Sequence, residues 1–179
     1  MKDYNIHKVM KFAFEKHDQP TGSQRYGNAP YSKHLLAVAE VGRRYKHYIP
    51  SKLWNDVECA LILHDIVEDT EMSPSDLAKE FSENIANWVF NVSNELGFNR
   101  KERNFKTYPK IWSCDESIFI KLSDRIANTT NSKQSGHRMY GVYKFEYPIF
   151  RYALKVRNLY PDMWSELDML YGWKSVNGF

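Results

Sequence analysis

The sequence predicts an all-α fold, and three observations carry that expectation. Apolar residues recur at helical spacing along almost the whole chain, alternating β-type runs are absent, and turn-forming residues fall between the apolar stripes. About seven helices are expected, in a single domain spanning residues 1–179. Of the 179 residues, 42% are hydrophobic, 15% aromatic and 26% charged, enough for a sizeable core and too many for a disordered or collagen-like chain.

In chain order, a long loop is expected near residues 18–31, where Pro20-Thr21-Gly22 and Gly27 to Pro30 interrupt any periodicity. Leu35, Val38, Ala39 and Gly42 then follow i, i+3, i+4, i+7, which predicts an amphipathic helix starting near His34. After Pro50 comes a second stripe, Val57, Ala60, Leu61 and His64, around the longest apolar run, Cys59–Leu63. That run is far shorter than a membrane span requires. Ser73 reads as an N-cap with Pro74 at the first helical position and Asp76 in the first turn. Ile85, Trp88, Val89 and Val92 define the next helix, and Ile118, Leu122 and Ile126 keep an i+4 stripe. Tyr147, Phe150 and Leu154, then Trp164, Leu167 and Tyr171, complete the series. Gly97, Pro109, Gly136 and Pro161 are expected to separate these later helices.

The net charge of +3 is too small to mark a nucleic-acid binder. Cys59 and Cys114 stand far apart with no CxxC, and the first residues have no apolar signal core. A soluble, cytoplasmic protein is expected. Composition sets no oligomeric state, and a homo-oligomer is compatible with it.

The acidic residues concentrate in one place: Asp65, Glu68, Asp69 and Glu71 lie within seven residues, with no Lys or Arg among them. Such a cluster repels itself on a helix unless it is well solvated or neutralised by a cation. If the helix continues past residue 65, Glu68 lies over His64 and Asp69 over Asp65, each at i+4. Two other segments carry chemistry: Pro30-Tyr31-Ser32-Lys33-His34, and Lys121 to Asn128 with Asp124 and Arg125 inside it. Two imidazoles with two carboxylates suit Mn²⁺, Fe²⁺ or Zn²⁺ rather than Ca²⁺.

These segments resemble the motifs of the HD-domain metal-dependent phosphohydrolases. The resemblance is closest to the hydrolase domain of RelA/SpoT-type alarmone enzymes and to the small single-domain alarmone hydrolases. A GxPYxxH-like element reads Gly27 to His34 with one extra residue, an HDxVEDT-like element reads His64 to Thr70, and a KLxDRxxN-like element reads Lys121 to Asn128. The resemblance spans about residues 10–155. It implies His34, His64, Asp65 and Asp124 as ligands of a divalent metal, Mn²⁺ first. It makes Glu68 and Asp69 the acidic pair that handles the attacking water. It points to Arg25 and Asn128 as substrate contacts, with Lys121, Arg125, Lys106 and Lys133 as candidates to hold phosphates and Tyr147 as a candidate wall of the nucleotide pocket.

The implied reaction is hydrolysis of the 3′-pyrophosphate of ppGpp or pppGpp. No histidine lies between Asp65 and Asp124, which favours a mononuclear site over the binuclear branch of the superfamily. The alternative enzyme is a mononuclear nucleotide phosphatase acting on a deoxynucleoside monophosphate or NADPH. A non-enzymatic module gripping RNA through Arg43-Arg44 or the Asn99–Lys106 stretch is disfavoured, since every ligand and both carboxylates are present.

Overall fold

Helix formation follows the apolar stripes closely. In the structure, a computed structural model, residues 2–17, 25–26 and 29–174 are described. Helix α1 (Ile6–His17) leads to a minimal antiparallel pairing of Arg25–Tyr26 with Ala29–Pro30, the only strands among the described residues. Most of the expected loop, residues 18–24, 27 and 28, lies outside them.

Helix α2 (Ser32–Arg44) buries His34, Leu35, Val38, Ala39, Val41 and Gly42 on one face. Helix α3 (Trp54–Leu63) carries the apolar run, and Val57, Cys59, Ala60, Leu61, Ile62 and Leu63 are all fully buried. The two helices approach closely at Gly42, where an added Cβ would stand 2.3 Å from Leu61 Cδ1. The close approach sets the depth at which His34 of α2 faces the end of α3.

The chain does not run on as one helix past residue 65. It breaks at His64 and Asp65, and a single turn, α4 (Ile66–Asp69), follows, with Glu68 and Asp69 donating their backbone N–H groups to the Asp65 carbonyl. Helix α5 (Pro74–Glu80) begins with the full capping box expected at Ser73, reciprocated by Asp76. A second cap, Ser82, starts α6 (Glu83–Val92). These two interruptions are among the reasons the count exceeds seven: α7 (Arg100–Trp112), α8 (Asp115–Gln134), α9 (Met139–Leu154) and α10 (Pro161–Tyr171) complete the order. Pro109 does not separate helices as expected. It lies inside the last turn of α7, three residues from its end, where one missing N–H costs little regular structure.

Helix α8 is the axis of the bundle. Twelve of its 20 residues are buried, and α2, α3, α6, α7, α9 and α10 all pack against it. Its buried hydroxyls find partners: Ser123 donates to the Phe119 carbonyl one turn back at 2.9 Å, and Thr129 bonds the Tyr171 hydroxyl of α10 at 2.5 Å. Asp124 and Arg125 are therefore charged side chains on an otherwise core helix. Their burial requires partners, and the partners define the site.

Candidate functional site

The break after α3 turns His64 inward beside His34, and the middle of α8 brings Asp124 to the same point. The ligand atoms of His34, His64 and Asp124 lie within 4.8 Å of one another, and all three residues are buried. Asp65 joins them: its Oδ2 is 2.9 Å from His64 Nε2 and 3.3 Å from His34 Nε2. The four residues expected as ligands thus converge from three separate elements.

Hydrogen bonds outside the cluster orient it. His64 Nδ1 stands 2.9 Å from the Leu61 carbonyl oxygen, which can only accept, so Nδ1 carries a proton and Nε2 faces inward, where it donates to Asp65 when protonated and offers a lone pair to a cation when not. Tyr31 donates its hydroxyl to Asp65 Oδ2, and Asn128 donates its amide to Asp124 Oδ1 at 2.5 Å. Lys121, one turn before Asp124, sits 3.2 Å from its Oδ2.

Charge states follow from these contacts. Burial raises the cost of a charge on Asp65, but the His64 charge and hydrogen bonds from both histidines outweigh it and hold the carboxyl well below its usual range. Asp124 is lowered too: burial opposes its charge, and Lys121 and His34 overcome the opposition. Burial works against a charged His34, yet its hydrogen bonds to Asp124 and Asp65 push it up to about 9. A pair of carboxylates kept ionised around two inward-facing imidazoles is a donor set that fits a divalent cation. His34 Nδ1 is buried without a hydrogen-bond partner among the described residues, and the ring is held by the cluster and by the rings of Tyr26 and Tyr31, 4.8 and 5.3 Å away.

A polar cleft of about 220 Å³ opens over this cluster. Glu68 and Asp69 line one side, with both Glu68 oxygens accepting from Asn94, at 3.1 Å from its backbone N–H and 2.8 Å from its amide. Asp69 Oδ2 lies 4.0 Å from Nδ1 of His17, whose ring stacks on Tyr31. Glu71, exposed, does not line the cleft; the acidic cluster divides between a site and a solvated end.

Cations line the cleft as well. Lys121, Arg125 and Arg100 line it together with Tyr143, Asn104 and Asn128. Burial disfavours the charge on Lys121, but Asp124, Asp65 and Glu68 raise its pKa, so it stays protonated. Arg125, 5% exposed, packs its guanidinium against the rings of Phe150 and Tyr143 at 4.5 and 4.8 Å. Glu146 joins Arg125 at 3.2 Å and Arg100 at 2.5 Å. A second cleft of about 830 Å³ adjoins the first and shares Tyr26, Asn128 and Tyr143 with it.

Some expected contacts fall elsewhere. Tyr147 is 1% exposed, packs on Tyr171 and donates to Asp168 at 2.5 Å, facing α10 rather than the cleft. Tyr143, one turn earlier, takes the place at the wall. Lys106 pairs with Glu102 at 2.6 Å, and Lys133 donates to the Leu170 carbonyl at 2.7 Å; neither lines the first cleft. Arg25 pairs through its backbone with Pro30, and its side chain lies outside the described part of the structure. Arg43 and Arg44 pair with Glu58 at 2.6 Å and Glu166 at 3.0 Å and do not line the first cleft. Residues not singled out from the sequence are His17, Asn94, Arg100, Asn104 and Tyr143. Arg100 and Asn104 stand at i, i+4 on α7, a signal that the surrounding basic residues obscured.

Fold and cluster together give a helical domain with a two-histidine, two-aspartate centre. The chain is similar in sequence to curated proteins named guanosine-3′,5′-bis(diphosphate) 3′-pyrophosphohydrolase. It is 29% identical to that of Aquifex aeolicus over 131 residues, 69% of this chain and 17% of the relative. To that of Vibrio cholerae it is 32% identical over 62% of the chain and 16% of the relative. A smaller relative, MESH1 of Danio rerio, is 28% identical over 67% of this chain and 64% of its own length. The chain thus spans about a sixth of the first of these relatives. Among solved structures, a metazoan ortholog of SpoT described as hydrolyzing ppGpp superposes with a TM-score of 0.70 at 22% identity, covering 96% of each chain. The protein lmo0812 of Listeria monocytogenes EGD-e gives 0.64 at 23% identity, over 80% of this chain and 94% of that one. No family model matches the chain. No helix among the described residues is long and apolar enough to cross a membrane.

Proposed function

We propose that the protein is a cytoplasmic, metal-dependent phosphohydrolase that removes the 3′-pyrophosphate from guanosine alarmones, ppGpp or pppGpp. Water adds to the phosphorus attached to the ribose 3′ oxygen, the oxygen–phosphorus bond breaks, and GDP or GTP leaves with a 3′ hydroxyl beside free pyrophosphate. The observation that carries the reading is the division of one cleft into an acidic, histidine-bearing floor and a cationic wall of Lys121, Arg125 and Arg100. The names of the homologues supply the substrate class.

His34, His64, Asp65 and Asp124 would hold a single ion, Mn²⁺ in this reading, whose chemistry is Lewis-acid polarisation of a phosphoryl oxygen and activation of water. Glu68, oriented by Asn94, and Asp69 accept the proton of the attacking water. Lys121 and the two arginines neutralise the diphosphate, Asn128 contacts ribose or phosphate, and Arg25 contacts the base or phosphates. The adjoining 830 Å³ cleft is of a size to take the nucleoside.

The test is a substrate panel of ppGpp, pppGpp, NADPH and deoxynucleoside monophosphates with Mn²⁺, scoring pyrophosphate separately from orthophosphate. Pyrophosphate from ppGpp is the expected product. Orthophosphate from a monophosphate ester, with ppGpp left intact, would assign the site to a nucleotide phosphatase instead.

A further inference from the structure

Helix α9 is apolar on both sides. Its inner face buries Tyr147, Phe150 and Leu154. Its outer face exposes Val142, Phe145, Pro148, Ile149 and Tyr152, and Lys144 is the one charged residue exposed between Gly141 and Ala153. Phe145 is 85% and Tyr152 91% exposed. A helix facing water is ordinarily polar on that side; one that is apolar all round is normally covered.

The strip continues onto α7. Tyr108 of α7 meets Phe150 of α9 edge-on at 6.1 Å, and Arg100 meets Glu146, so the two helices lie side by side. Phe105 and Trp112 stand at i−3 and i+4 from Tyr108, on the same flank, and are 76% and 53% exposed. Taking about 200 Å² for each ring, Phe105, Trp112, Phe145 and Tyr152 leave about 600 Å² of aromatic surface in water. The largest apolar patch on a typical monomer is about 300–600 Å² in total.

We propose that this strip is the interface of a twofold dimer, formed with a second copy of the chain. Each partner in a standard interface contributes about 800 Å², its centre largely apolar, and the four rings supply most of that area. Like-to-like contact demands a face that does not repel itself, and the strip's exposed cations are two, Lys144 on α9 and Lys101 one turn before Phe105 on α7, few enough for the apolar centre to meet itself. An acidic or anionic partner would instead be expected to find several unpaired cations among the rings. The four rings of the strip, Phe105, Trp112, Phe145 and Tyr152, are not among the residues that line the cleft. The inference does not depend on the proposed reaction.

Sedimentation velocity on the full chain over a concentration series tests it. The expected result is a concentration-dependent species of twice 21.2 kDa, whose dissociation constant weakens at least about tenfold in the Phe145→Ser, Tyr152→Ser double variant. Both substitutions are at exposed positions, and an unchanged far-ultraviolet spectrum and melting midpoint check that the variant folds. Met169→Ser, a 70% exposed apolar residue on α10, should leave the dimer intact. A monomer at every concentration would overturn the proposal, as would a dimer that persists in the double variant. Adsorption of a monomer to anionic vesicles, lost with salt, would overturn it in favour of a lipid surface.

Discussion

His34 and His64 meet through their Nε2 atoms, 3.2 Å apart. Two lone pairs do not face each other at that distance without something between them, and a proton or a cation is the chemical choice. Asp65 and Asp124 surround the same point, which is why the pair reads as half of a ligand set rather than as core histidines.

One divalent ion per chain is the expected metal content, measured by elemental analysis of protein purified with Mn²⁺. His34→Ala and Asp124→Ala should each lose the ion. Chelation of the loaded protein should lower its melting midpoint, since an ion at about a hundred times its dissociation constant stabilises the native state by about 2.7 kcal/mol. Two ions per chain would defeat the mononuclear assignment.

Glu68→Gln and Asp69→Asn keep shape and remove basicity. Each should retain the metal yet lose a factor of about 10²–10⁴ in turnover. Asn94→Ala frees Glu68 Oε1, while the backbone N–H of residue 94 still holds Oε2, and should lower kcat by a smaller factor, with metal content unchanged. Normal turnover in all three would place the proton transfer elsewhere.

Arg100→Ala should raise KM for ppGpp with little change in metal content, because a charge-assisted phosphate contact contributes about 1.5–3 kcal/mol. Glu146 holds both arginines and should matter through stability as well. Burial disfavours its charge, but the Arg100 hydrogen bond and the Arg125 charge lower its pKa below the ordinary 4.5. A depressed carboxyl stabilises the fold above that ordinary value and loses the contribution as pH falls through the lowered one. Urea titrations should therefore show Glu146→Gln less stable than the parent at pH 7 by about 1–3 kcal/mol, with the gap narrowing in acid. A gap constant from pH 7 to pH 3 would show that the ion pairs do not stabilise the fold.

Gly42→Ala tests the α2–α3 contact. Its new methyl meets Leu61 Cδ1, the end of a fully buried side chain that must shift to make room. Overpacking should cost about 1–3 kcal/mol in denaturant midpoints. Adding Leu61→Ala should recover part of that loss, and a purely additive double variant would place the strain elsewhere.

The helices were legible because burial is periodic: the stripes from Leu35 to Gly42 and from Ile85 to Val92 appear where the spacing puts them. The cluster of His34, His64, Asp65 and Asp124 was legible because its residues sit in short contiguous segments that resemble known motifs. The break at His64 was not, since the run into it is uniformly apolar and both residues keep right-handed helical angles. The cationic wall was read only in part. Lys121 and Arg125 share a segment with Asp124, whereas Arg100 and Tyr143 reach the cleft through tertiary packing of α7 and α9. Tyr147 and Tyr143 are one turn apart and nearly indistinguishable in sequence; Asp168 on a distant helix decides which of them turns away.

The two sets of groups at the cleft come from different stretches of chain. His34, His64, Asp65, Glu68 and Asp69 precede residue 70, and the cations that share the cleft with them follow residue 99; α8 alone contributes to both. Reactivity and selectivity are thereby separable traits. In the proposed reading, substitutions at Arg100, Asn104 or Tyr143 would retune which polyanion is admitted and leave the cluster of His34, His64, Asp65 and Asp124 untouched, so the choice of substrate and the chemistry at the cluster can drift apart.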